Sequence, residues 1–76
     1  MTENEPETPQ DGDRIRALRK ERLKINGAQF AARLGIYRQT LVNIEMNKKP
    51  ASLALMIRIA AELGEPIDGL LRKVAV

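Results

Sequence analysis

The sequence predicts an all-α fold, a compact domain of five short helices. Two observations carry this prediction. Apolar residues recur at helical spacing in segment after segment from Asp13 onward, and no stretch shows the strict alternation that marks a strand. Capping residues and glycines fall at the ends of these segments, where helices start and stop. Seventy-six residues bury only a limited core, so helices with mostly local contacts are the economical solution.

Residues 1–11 contain two prolines, four acids and no apolar residue after Met1. Such a stretch buries too little surface to offset the entropy of ordering, and the expectation is a disordered acidic arm followed by one domain over 12–76. Helix 1 is expected at about 13–24, with Ile15, Leu18 and Leu23 at i, i+3 and i+8 and basic residues in most other positions. Helix 2 begins at Gly27: Asn26 is an N-cap, and Gln29 three residues later completes a capping box. Phe30, Ala31 and Leu34 form its apolar stripe, and Gly35 supplies the left-handed conformation that ends it.

Ile36 plugs the corner, and a third helix follows from Arg38 to about Met46 with Leu41 and Ile44 turned inward. Asn47, which tolerates the left-handed region, stops it ahead of a basic loop of Lys48, Lys49 and Pro50. Ser52 caps helix 4, whose Leu53, Met56, Ile57, Ala60 and Leu63 make the clearest amphipathic pattern in the chain, and Gly64 closes it. Glu65 and Pro66 open a fifth helix, in which Ile67, Leu70, Leu71 and Val74 keep helical spacing.

The net charge of +3 conceals an asymmetry. Glu3, Glu5, Glu7 and Asp11 lie in the first eleven residues, so the remainder carries 13 basic residues against six acidic ones. A surplus of that size on a small domain attracts a polyanion, of which nucleic acid is the commonest. Cysteine and histidine are absent, so no disulfide or thiolate metal site is available, and no cofactor is implied. No signal peptide or bilayer-length apolar run is visible, and the expected location is cytoplasmic. Glu45 has no second carboxylate, histidine or nucleophile at a useful spacing, so general acid-base catalysis has no partner and no enzyme is expected.

From Asn26 to Glu45 the chain resembles the helix-turn-helix of the lambda repressor and Cro-like family, also called the XRE type. Ala31, the Leu34-Gly35-Ile36 corner, Leu41, Ile44 and Glu45 fall where that family has its small helix 2 residue, its turn, its core residues and its acidic helix 3 end. The resemblance covers roughly residues 13 to 71, with one extra residue in the connection between helices 1 and 2, around Arg22 to Ile25. It implies double-stranded DNA binding, with helix 3 in the major groove. Arg38 and Gln39 occupy base-contacting positions, and Asn43, one turn later, shares their face. Arginine suits guanine, and glutamine or asparagine suits adenine. Val42 is placed either to touch a thymine methyl or to pack.

The same resemblance assigns phosphate contacts to Asn26, Tyr37, Thr40, Asn47, Lys48 and Lys49, and a structural ion pair to Arg19 and Glu45. Two departures stand out. Gly27 replaces a glutamine that often bonds phosphate, and Tyr37 replaces the usual Ser or Thr cap of helix 3. One module grips DNA too weakly to select an operator, so the expected assembly is a homodimer through Leu70, Leu71 and Val74, repressing from a palindromic operator. The alternative is an antitoxin that binds a toxin and represses its own operon. The acidic tail and the chain end would then have to supply the protein-binding surface.

Overall fold

The computed structural model describes residues 8–72. Four α-helices make up the domain: α1 (Gly12–Leu18), α2 (Gly27–Leu34), α3 (Arg38–Glu45) and α4 (Leu53–Leu63). A π-helical turn at Arg19–Leu23 extends α1, and a 3-10 turn at Ile67–Leu70 follows α4. No helix among the described residues is long and apolar enough to cross a membrane.

Local chemistry sets the helix ends. Asn26 Oδ1 accepts from the Gln29 backbone N–H at 2.8 Å while Gln29 Oε1 accepts from the Asn26 N–H at 3.0 Å, so the capping box is closed in both directions. Ser52 Oγ accepts from Leu55 N–H at 3.1 Å to start α4. Gly35 and Gly64 end α2 and α4 at φ 73° and 68°, and Asn47 adopts φ 59° just beyond α3.

The longer connection between the first two helices is absorbed by the π turn. Lys24 N–H donates to Arg19 O at 2.9 Å, an i to i+5 bond that takes one residue more than an α turn, and Lys24 itself turns left-handed at φ 55°. α1 therefore stays in register with the core. That core joins Ile15 and Leu18 of α1, Phe30, Ala31 and Leu34 of α2, Leu41 and Ile44 of α3, and Met56, Ile59, Ala60 and Leu63 of α4.

The expected fifth helix is replaced by the 3-10 turn, which leaves four α-helices among the described residues. Leu70 is fully buried and anchors the turn in the core. Beyond it the chain becomes extended, because its backbone groups bond another segment: Asp11 N–H donates to Leu70 O at 2.7 Å and Arg72 N–H to Pro9 O at 2.8 Å, around an antiparallel Gln10–Leu71 bridge. A helix running on through Leu71 would forfeit those bonds. Leu70 is thus part of the monomer core rather than an exposed dimer contact, Leu71 is partly exposed, and Val74 lies outside the described residues.

The same pairing corrects the expected disorder of the acidic arm at its described end. Thr8 and Gln10 are buried, and Asp11 caps α1 by accepting from Arg14 N–H at 3.2 Å. Glu3, Glu5 and Glu7 lie outside the described residues. Next in the chain, Gly12 is buried against the end of α3, where a Cβ would collide with the backbone carbonyl oxygens of Glu45 and Ile44 and with Asn47 Oδ1. Backbone carbonyls cannot step aside as a flexible side chain can. Gly12→Ala is therefore expected to destabilise the domain by about 1–3 kcal/mol, the usual range for overpacking. An unchanged melting temperature would show that α1 slides freely at this contact.

Glu65 ties the end of α4 to the first helix and the π turn. Its carboxylate pairs with Arg14 at 2.8 Å and with Arg22 at 2.8 Å. The Arg14 hydrogen bond is the largest influence, and with Arg22 it outweighs desolvation to hold the Glu65 carboxyl below its ordinary value of 4.5. A depressed acid stabilises the fold when ionised, so this contribution is present above about pH 4.5 and is lost as the pH falls through the folded-state value. The melting-temperature gap between wild type and Glu65→Gln should accordingly be wider at pH 7 than at pH 3. A gap independent of pH would contradict it.

Candidate nucleic-acid interface

The interface is built on α3, whose two faces differ sharply. Leu41, Ile44 and Glu45 point inward and are buried. Around the rest of the helix Arg38, Gln39 and Thr40 are exposed and Val42 and Asn43 are half-buried, with Gln39 and Asn43 opposite the buried side and Arg38 and Thr40 on its two flanks. Arg38 with Val42, and Gln39 with Asn43, stand four residues apart and so lie on adjacent turns of one surface. Gln39 Nε2 donates to Asn43 Oδ1 at 3.3 Å, which aligns the two amides along the helix. The Gln39 carbonyl oxygen and the Asn43 amide nitrogen are not used in that bond, one acceptor and one donor, the pair of functions an adenine edge requires.

α2 and the turn hold α3 in this attitude. Phe30, Ala31 and Leu34 supply the floor on which Leu41 and Ile44 pack, while Gly35 lets the chain reverse within three residues. Beneath the helix, Arg19 Nε and Nη2 donate to Glu45 Oε2 and Oε1 at 2.9 and 3.0 Å, a two-pronged pair whose side chains are 8% and 7% exposed. Arg19 Nη1 also donates to Ile25 O at 2.9 Å. One guanidinium thus fixes the end of α3 to the π turn and to the entry of α2. Glu45 is fully engaged in this role.

The phosphate candidates divide into groups. Lys48 and Lys49 are exposed in the loop after α3, whose backbone folds back so that both N–H groups reach Asn43 O, at 2.8 and 3.4 Å. Thr40, Asn43 and Lys49 share one cleft with Pro50 and Ser52 at the start of α4. Tyr37 is 84% exposed and makes no side-chain cap, so the first-turn N–H groups of α3 lack a side-chain partner there. Asn26 is exposed, with its oxygen engaged in the capping box. Asn47 stands apart from these: its Oδ1 accepts from Gly12 N–H at 2.9 Å, turning the side chain toward α1.

A second cleft on the other flank of α3 is lined by Arg38, Leu41, Val42 and Met46 together with Arg16 and Asp13 of α1. It places Arg16 beside the exposed helix face. The sequence holds no signal for that residue, which is one of six basic residues between Arg14 and Lys24. Among the described residues, carboxylates pair with Arg14, Arg19, Arg22 and Arg33, whereas Arg16, Arg38, Lys48 and Lys49 pair with none. Four cations on or beside α3 and its following loop are thus left without a carboxylate partner.

Comparison with known proteins agrees with this geometry. Among curated proteins, none matches the chain. The helix-turn-helix family model matches residues 15–70, a span that runs from the first core residue of α1 to the buried Leu70 and contains both helices of the motif. The chain belongs to the lambda repressor-like, XRE-type helix-turn-helix family of DNA-binding transcription regulators.

Proposed function

We propose that the protein is a sequence-specific regulator, a repressor that occupies a short palindromic operator as a homodimer. The observation that carries this reading is the outer face of α3, where Arg38, Gln39 and Asn43 share one surface flanked by unpaired cations. In the major groove that surface would read base edges: Arg38 donating to a guanine, Gln39 and Asn43 to adenines or their neighbours. Lys48, Lys49, Thr40, Tyr37 and Asn26 would hold the flanking phosphates, with the open N–H groups at the start of α3 adding to them. Asn47 would act by shaping the loop, since its oxygen is committed to Gly12.

Two copies are needed because one basic module binds DNA at only ~10⁻⁴ to 10⁻⁶ M without sequence preference. Related by a two-fold axis, their recognition helices would lie about 34 Å apart on one side of the duplex. With Leu70 buried, Leu71 is the described residue of the expected C-terminal stripe that remains open to a partner. Leu71→Glu should then lower the dimer mass in sedimentation with helical content intact.

Binding to duplex DNA over a range of salt concentrations tests the charge placement. Lys48→Ala and Lys49→Ala are each expected to weaken binding to every sequence and to make the slope of log affinity against log salt shallower by about one unit. A slope unchanged by both replacements would remove the loop from the interface.

A further inference from the structure

We infer that Gln10, which does not lie on the DNA-facing surface, is a positioning residue for DNA binding: its buried side-chain amide fixes the phosphate-facing loop Asn47–Ala51 relative to the recognition helix. This inference rests on the DNA-binding reading of α3 and its loop. Gln10 is 0% exposed although it belongs to a segment with no apolar residue. Its Nε2 donates to Ile44 O at 3.2 Å and to Lys49 O at 2.8 Å, and its Oε1 accepts from Ala51 N–H at 3.1 Å. One amide therefore joins the last turn of α3 to two points of the loop that follows it.

The loop has little else to define its path. Lys48, Lys49 and Pro50 are exposed, and apolar packing resumes only at Ala51. Within the loop the backbone bonds run back to α3, from Lys48 and Lys49 to Asn43 O, and none of them restrains the stretch from Lys49 O to Ala51 N. Gln10 spans that stretch. It is itself held from behind, because the residues on either side of it bond Leu70 and Arg72, and Leu70 is seated in the core. Two further ties join the same places: Gly12 N–H donates to Asn47 Oδ1 at 2.9 Å, and Thr8 Oγ1 lies 3.5 Å from that same oxygen. The rigidity of the core thus reaches the two loop lysines through a chain of amides.

Without the Gln10 amide, Lys49 O and Ala51 N–H are left as buried or half-buried groups lacking partners, and the loop satisfies them by swinging toward water. Lys48 and Lys49 then keep their charge but lose their fixed distance from Arg38 and Gln39. Phosphate contact weakens, and the ability of the α3 face to discriminate between bases is retained.

The test is a cycle of Gln10→Met, which fills the same space without the hydrogen bonds, in the full chain and in the Lys48→Ala/Lys49→Ala background. Affinities for a preferred duplex and a random duplex are read against salt, and melting is followed in parallel. In the full chain, Gln10→Met is expected to make the salt slope shallower by about 0.9 unit, the share of one phosphate contact, equivalent to an about eightfold smaller gain in affinity for each tenfold drop in salt. The ratio of preferred to random affinity should hold. In the double-alanine background the same replacement should change neither slope nor affinity, since the groups it positions are gone.

An equal loss in both backgrounds with an unchanged slope would overturn the inference and leave Gln10 a residue that only supports folding. Should Gln10→Met melt below the assay temperature, Gln10→Glu keeps the side-chain length and the acceptor for Ala51 and carries the same comparison. Failure of both variants to fold would also overturn a positioning role. Absence of duplex binding by the wild-type protein would instead defeat the reading of α3 itself, before any variant is compared.

Discussion

Glu45→Ala is expected to cost about 3–5 kcal/mol of folding stability, because it strands the Arg19 guanidinium in a site from which water is nearly excluded. The intact pair places two charges side by side with both carboxylate oxygens and three guanidinium nitrogens satisfied, one of them by the Ile25 carbonyl. Deleting the acid leaves the desolvation of the base uncompensated. For a domain of this size each kcal/mol moves the melting temperature by roughly 4–8 °C, so the change should be visible in a single thermal scan. Replacing both partners together, Arg19→Met with Glu45→Leu, should recover most of the loss, since a buried pair contributes little net stability over apolar residues of similar volume. A Glu45→Ala protein that melts with the wild type would mean that water reaches Arg19 freely. The predicted cost would then have no cause.

Arg38→Ala and Gln39→Ala are each expected to remove about 1–3 kcal/mol of binding on the preferred site while changing binding to unrelated duplex much less. The asymmetry is the informative part. Both side chains stand on the exposed face of α3, and a group that bonds a base edge adds energy only where that base is present. Gln39 is coupled to Asn43 through the 3.3 Å hydrogen bond, so the losses from Gln39→Ala and Asn43→Ala should fall short of additive. Equal losses on every sequence would place Arg38 and Gln39 among the phosphate contacts.

Much of the helical framework is legible in the sequence because its determinants are local. The Asn26–Gln29 capping box, the Ser52 cap and the glycines at 35 and 64 act within a few residues of themselves, and the helices start and stop where those residues stand. The absent fifth helix shows the limit of such reasoning. Ile67, Leu70, Leu71 and Val74 keep helical spacing, but spacing records which side chains point one way and not which backbone partners compete for the chain. Here Pro9 and Asp11, more than fifty residues away, take those backbone bonds.

Gln10 and Gly12 were hidden for a related reason. A polar stretch with two prolines looks unable to order itself, and by apolar burial alone it is. Its last residues are instead held by backbone groups at the end of α3 and in the loop after it, partners that exist only once the helices have packed. No pattern along residues 8–12 announces them. The π turn is an intermediate case: one extra residue between helices 1 and 2 is countable against the family spacing, but its absorption into a wide helical turn, closed by the Lys24 N–H to Arg19 O bond, is not. The Arg19–Glu45 pair was legible through the resemblance, since nothing in the spacing of Arg19 and Glu45 joins two residues on different helices.

Selection of binding sites from random duplex DNA, run in parallel with the wild-type protein and with Gln39→Ala, shows directly whether the outer face of α3 reads base sequence. The wild type is expected to enrich a two-fold symmetric motif with half-sites about one helical turn apart, and Gln39→Ala to lose preference at one position in each half-site while keeping the rest. Enrichment of no motif by the wild type, or an identical motif from both proteins, would contradict base readout by α3.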